Sequence, residues 1–149
     1  MRDILSITNA LSDRTRLRLI MSLREGELCA CQLIEVVGLA ASTVSKHMYL
    51  LRHASLVEMR KEGRWVYYRL AGRDVPIPAR RAIKWVTEAM ADDPQIIKDT
   101  KHLSKILKSK PEDLCRRQSQ RSASSSSAPA TRVAAKWQRD GRGTSNHTR

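Results

Sequence analysis

The chain has no phenylalanine among its 149 residues, aromatic side chains make up 4% of it, and no apolar run reaches the roughly 18 residues of a membrane span. With so few rings the core must be filled by Leu, Ile, Val, Met and Ala, which suits packed helices better than a broad sheet. A secretory leader is not expected, because Asp3, Asn9, Asp13 and Arg14 interrupt any apolar stretch at the start. The expected compartment is therefore the cytoplasm. No nucleophile, base and orienting group stand together, and the close thiol pair is Cys-x-Cys without a βαβ pattern around it. An enzyme such as a thiol reductase is accordingly disfavoured.

Positive charge is abundant. Lys and Arg total 28 against 15 Asp and Glu, for a formal charge of +13. The excess is spread along the chain: residues 1–110 hold 20 basic against 12 acidic side chains, and the remainder 8 against 3. Such a field attracts polyanions, and nucleic acid suits it better than a membrane. There are three cysteines, Cys29, Cys31 and Cys115. A reducing compartment would keep them as thiols, and a bridge between residues two apart is strained, so metal, metalloid or redox sensing is the better use.

Apolar spacing predicts a short helix over 3–11 and a second from Asp13 to Glu25, with Ser12 as N-cap, Leu17, Ile20, Met21 and Leu23 facing inward, and Arg14, Arg16 and Arg18 on a solvated face. A short helix from Cys31 to Val37, a turn at Gly38 and a helix from Ala41 to His53 give a helix-turn-helix layout. Ala40 occupies the N-cap position of the second of these, where Ser, Thr or Asp would be the usual residue. The runs 56–61 and 64–70 flank Glu62-Gly63 as a β-hairpin, the shape of a wing. Helices are predicted over 79–91 and 94–107, and Pro111 to Cys115 could begin one last turn. From residue 118 the composition turns to Ser, Arg and Gly with too little apolar surface to offset ordering entropy, so 118–149 reads as a disordered basic tail, with 133–137 a possible transient helix.

Four motifs in order, Leu11-Ser12-Asp13-Arg14-Thr15-Arg16-Leu17-Arg18-Leu19-Ile20, Glu27-Leu28-Cys29-Ala30-Cys31, Ser42-Thr43-Val44-Ser45-Lys46-His47-Met48-Tyr49-Leu50-Leu51-Arg52 and Lys61-Glu62-Gly63-Arg64-Trp65-Val66-Tyr67-Tyr68-Arg69-Leu70, resemble the ArsR-type (arsenic-responsive) metalloregulators. The resemblance covers roughly residues 3–107 and is specific because four motifs fall in sequence. It implies a mainly α, homodimeric winged helix-turn-helix protein with a small β-hairpin wing. Residues 1–110 would form the DNA-binding and dimerisation domain, the first and the C-terminal helices would make the dimer interface, 111–117 would carry Cys115, and 118–149 would be the tail. It further implies a transcriptional repressor of a metalloid-resistance operon that leaves its operator when arsenite or antimonite binds.

In that resemblance Cys29 and Cys31 match the first two thiols of the arsenic-sensing branch, whose third commonly follows three residues later. Here Ile34 stands at that position, and trivalent arsenic prefers a pyramid of three thiolates. Cys115 is the remaining candidate, folding back from either subunit. A cysteine at a helix N-terminus is expected to have a lowered pKa. Residues i and i+2 of a regular helix lie about 200° apart, so Cys29 and Cys31 could share one ion only if the first turn were irregular. On DNA, Ser42, Thr43, Ser45, Lys46 and His47 would enter the major groove, and Arg60, Lys61 and Arg64 of the wing would meet phosphate or the minor groove, although His47 could equally be a packed or capping residue. Three alternatives stand beside this: an oxidant sensor pairing Cys29 or Cys31 with Cys115, a zinc or cadmium site at the C-terminal helices, for which His102 and scattered Asp are poor ligands, and small buried hydrophobes without ligand chemistry.

Overall fold

A computed structural model describes residues 1–124. The elements are α1 (Arg2–Leu11), α2 (Arg14–Ser22), β1 (Leu28–Cys29), α3 (Ala30–Val37), α4 (Ala41–His53), β2 (Val57–Glu62), β3 (Trp65–Leu70), α5 (Ile77–Ala89), α6 (Pro94–Ile106) and α7 (Pro111–Ser124). The three strands form one antiparallel sheet in the order β1-β3-β2. The protein is thus mainly helical, with a winged helix-turn-helix at its centre. The part of the expected tail beyond residue 124, including 133–137, lies outside the described residues.

Helix ends follow capping chemistry. Asp13, rather than Ser12, caps α2: its carboxylate accepts from the Arg16 amide at 3.0 Å. That bond and the neighbouring Arg16 charge outweigh partial burial and hold the Asp13 carboxyl below its ordinary range. Gly38 ends α3 at φ +69°, a left-handed position that a side chain would strain, and so sets the turn into α4. Ala40 indeed supplies no side-chain cap to α4. The other end of α4 closes through Leu56 N–H to the Leu51 carbonyl, 3.0 Å, and Ser55 N–H to the Arg52 carbonyl, 2.9 Å. Ser55 thereby takes φ +61°, where glycine is usual.

The core lies where α2, α3, α4 and the inner face of the hairpin meet. Leu19, Ile20, Leu33, Met48, Leu51 and Leu56 are fully buried. Strand alternation turns Val66 and Tyr68 inward, and burial pushes the Tyr68 phenol pKa far up. The second helix carries more than a solvated basic face. Arg16 is buried, donating from Nε to the Ala10 carbonyl at 2.7 Å and from Nη2 to the Asn9 carbonyl at 3.0 Å, so it fastens the end of α1. Arg18 grips Asp99 of α6 through Nε–Oδ2 at 2.7 Å and Nη2–Oδ1 at 2.9 Å. The two-pronged bond raises the Arg18 pKa against burial. Arg14 is exposed, as expected.

Two further expectations change. α7 runs fourteen residues, to Ser124, instead of making a single turn, so residues 118–124 belong to a helix and not to a tail. Packing explains the difference: Leu114 is buried in the common core, and Gln118 Nε2 donates to the Cys31 carbonyl at 2.9 Å and approaches Glu35 Oε2 at 3.4 Å. Tertiary contact stabilises a segment that composition alone would leave unfolded. Outside the core, Ile4 and Leu5 of α1 and Ile77 and Trp85 of α5 are exposed apolar residues, as are Ile97 of α6 and Leu107 just after it.

Candidate functional site

Cys29 is the last residue of β1 and the N-cap of α3, with extended backbone at φ −70°, ψ 148°. Cys31 is the second residue of α3. The strand-to-helix junction supplies the irregular turn that two thiols, two residues apart, need in order to converge. A reciprocal cap fixes it: the Cys29 N–H donates to Gln32 Oε1 at 2.9 Å, while the Cys29 sulfur faces the amides of Cys31 and Gln32. α7 then brings the third sulfur back over 84 residues, and the sulfurs of Cys29, Cys31 and Cys115 all lie within 4.8 Å of one another. They come from a single chain. Ile34 packs partly buried against the core instead of joining them.

Cys31 and Cys115 are paired as a disulfide, their Cα atoms 5.6 Å apart, and Cys29 remains a free, buried thiol. The expectation of a lowered thiol pKa is overturned at Cys29. Burial raises it, and the amides of Cys31 and Gln32 only partly offset that rise. Cys29 is 1% exposed, whereas Cys31 and Cys115 are half-buried. The cluster is therefore open to solvent through the latter two. Among the described residues no other group of three His, Cys, Asp or Glu side chains is arranged to hold a metal ion, and His102 is exposed on α6 without such a cluster.

The second candidate surface is α4. Val44, Met48 and Leu51 hold its inner side. Ser42, Thr43 and Ser45 are half-buried and Lys46 is exposed. His47 lies on the flank toward α2, its Nδ1 3.4 Å from Arg16 Nη1 and 3.9 Å from Asp13 Oδ1. It is tied into the packing, the other role open to it from sequence. Tyr49, exposed on the same helix and stacked near His53, was not singled out from sequence, though its spacing from Ser42, Ser45 and Lys46 could have marked it.

In the wing, Arg64 is exposed beside Gly63, which takes φ +59° at the turn. Lys61 is half-buried. Arg60 is engaged within the protein: Nη2 meets Glu27 Oε1 at 2.6 Å, Nη1 meets Glu62 Oε2 at 2.7 Å, and the guanidinium lies 4.5 Å from the Tyr67 ring centroid. Glu27 and Glu62 raise the Arg60 pKa, and Arg60 lowers that of Glu27. Its charge is thus largely answered before any DNA arrives.

The model of the bacterial regulatory proteins of the arsR family matches residues 13–59, the stretch from the α2 cap into the first half of β2. The chain is 39% identical over 93 residues to the arsenic resistance transcriptional regulator ArsR1 of Pseudomonas putida, covering 60% of this chain and 72% of that protein. The chain belongs to the ArsR family. It is 44% identical over 62 residues to the arsenical resistance operon repressor of Escherichia coli (strain K12), 41% of this chain and 53% of that protein, so it spans about half the length of that relative. Among solved structures, the homodimeric winged helix-turn-helix DNA-binding domain Mb0332 from Mycobacterium bovis, a possible ArsR-family transcriptional regulator, superposes with a TM-score of 0.51 at 30% identity, covering 62% of this chain and 81% of that one. This ArsR-family chain is a DNA-binding transcriptional regulator and not an enzyme. No helix among its described residues is long and apolar enough to cross a membrane.

Proposed function

We propose that this ArsR-family protein represses arsenic- or metalloid-resistance genes as a cytoplasmic homodimer, and that it leaves its operator when arsenite or antimonite is captured by Cys29, Cys31 and Cys115. The observation that carries the reading is the convergence of three sulfurs within 4.8 Å at the start of the helix-turn-helix. Once a small thiol has reduced the Cys31–Cys115 pair, leaving as its own disulfide, arsenous acid and the three protein thiols give a trithiolate complex and three waters, with no net proton released. Ser42, Thr43, Ser45 and Lys46 would meet the major groove, with His47 placing α4 against α2. Lys61 and Arg64 would lie along the phosphates, and Arg60 would do so only by exchanging its carboxylates for them. The exposed apolar residues of α1, α5 and α6, together with Leu107, would be covered by the second subunit.

The mechanical route is short. α3 begins at the sulfurs and ends at Gly38, the turn into α4, so a trithiolate that reshapes the Cys29–Cys31 junction tilts the first helix of the DNA-binding pair. A few kcal/mol of preference for the non-binding shape would weaken the operator complex ~10- to 1,000-fold. The test combines thiol counting with a gel shift of reduced protein. Arsenite should consume three thiols per chain, and Cys29→Ser and Cys31→Ser should bind DNA normally yet resist release. Loss of only two thiols rules out the three-sulfur site, and normal release of either variant ends the thiol mechanism.

A second reading is favoured by the Cys31–Cys115 disulfide: an oxidant sensor on the same scaffold. A hydroperoxide would take two electrons and two protons from these thiols, leaving the disulfide, an alcohol and water. Release of DNA by hydroperoxide in the absence of arsenite, lost in Cys115→Ser, would establish it.

A further inference from the structure

The five polar positions assigned to the DNA face from sequence leave out the residue at its centre. With 100° between successive helix residues, and Val44, Met48 and Leu51 marking the inward side, Ser42, Ser45, Lys46, Tyr49 and His53 occupy one outward stripe about 100° wide. Tyr49 lies at the middle of that stripe and is 58% exposed. Its ring sits over His53 one turn on, centroids 6.3 Å apart and planes 16° from parallel. The neighbour restrains the ring before any partner arrives, so less rotamer freedom remains to be lost on binding.

We infer that Tyr49 reads sequence, its ring packing against a thymine methyl group in the major groove of the operator half-site. Bases in a duplex are stacked on one another, so their faces are closed to an aromatic ring. The apolar group a base pair offers at the groove floor is the thymine C5-methyl. Tyr49 is flanked on the stripe by hydroxyls and an ammonium suited to polar base edges and phosphate, which leaves the ring as its apolar element. A tyrosine brings no positive charge, so its contribution adds little to the salt-dependent attraction common to all DNA. It discriminates between sequences. This assignment rests on α4 being the helix laid in the groove, as proposed above.

The experiment uses the full-length reduced protein to select tight duplexes from a random-sequence library, then replaces their thymines singly by deoxyuridine, which lacks only the methyl. At one position per half-site the replacement should weaken wild-type binding roughly tenfold, the scale of a single base contact. Tyr49→Phe should keep that sensitivity. Tyr49→Ala should bind the intact duplex weaker by the same factor, be indifferent to the replacement and bind unselected duplex as wild type does. Indifference of wild type to every replacement overturns the inference, and it needs no variant to fold. So does equal loss in Tyr49→Phe, which would point to the hydroxyl on phosphate, or equal weakening of Tyr49→Ala on unselected duplex. Lys46→Ala separates the two layers: it should weaken binding to both duplexes, and if neither it nor Tyr49→Ala weakens binding to either duplex, the placement of α4 has failed together with the inference.

Discussion

The sulfur cluster and the outward stripe of α4 are built in opposite ways. The stripe comes from twelve consecutive residues of one helix, is solvent-facing, and needs only helical periodicity to bring its members together. The cluster joins a strand end, a helix start and a C-terminal helix 84 residues away, is partly buried, and exists only once α7 has docked on α3. A surface made within one element reads a ligand without depending on the rest of the fold. A surface made across elements senses a ligand because occupying it alters how those elements sit together. The two meet in α3, eight residues long, which has Cys29 and Cys31 at its start and turns into α4 at its end.

The largest effect that could break this contrast is at Cys115. Cys115→Ser should leave operator affinity intact in reducing buffer while abolishing most of the ~10- to 1,000-fold release by arsenite, read by gel shift. Full release in that variant would confine sensing to the local Cys-x-Cys pair. Next, Asp99→Ala leaves Arg18 part-buried between α2 and α6 with only the Val36 carbonyl, 3.4 Å away, in place of its carboxylate, and should cost about 3 kcal/mol in urea unfolding while keeping sequence preference on DNA. Asp13→Ala removes the α2 cap and should cost about 1 kcal/mol. Ser55→Gly relieves the left-handed serine that closes α4 and should add about 1 kcal/mol. The smallest effect is one of pH. Burial raises the Cys29 pKa, so its contribution to the fold with Cys31 and Cys115 bridged is complete below the ordinary thiol value of 9.0 and fades as pH climbs toward the raised one. Melting temperature should therefore fall above pH 9 more steeply in wild type than in Cys29→Ser.

The same contrast explains what the sequence disclosed. α4 was predicted over Ala41 to His53, the residues the structure gives it, because Val44, Met48 and Leu51 keep helical spacing and Gly38 marks the turn before it. The wing was legible from two β-rich runs around Glu62-Gly63, and its Val66 and Tyr68 face inward together as alternation requires. α7 was not legible: its first turn looks helical, but residues 116–124 carry few apolar groups, and the Leu114 and Gln118 contacts that hold it come from α3 and the core. Arg16 and Arg18 misled for a related reason. Arginines on a helix usually face water, and their burial here depends on the Asn9 and Ala10 carbonyls and on Asp99, partners that periodicity does not reveal. The cysteine pKa was misread because a helix-start position was weighed without its depth.

Cys29 also has a neighbour across the sheet. It is registered against Tyr67 of β3, the strand that carries the returning arm of the wing, while its own chain continues directly into α3. The residue stands at a fork, with one prong leading to the helix that would probe the groove and the other to the hairpin that would brace against the phosphates. Under the proposed mechanism a tug at this one sulfur would pull on both grips together, so letting go of DNA would not be negotiated separately at each point of hold.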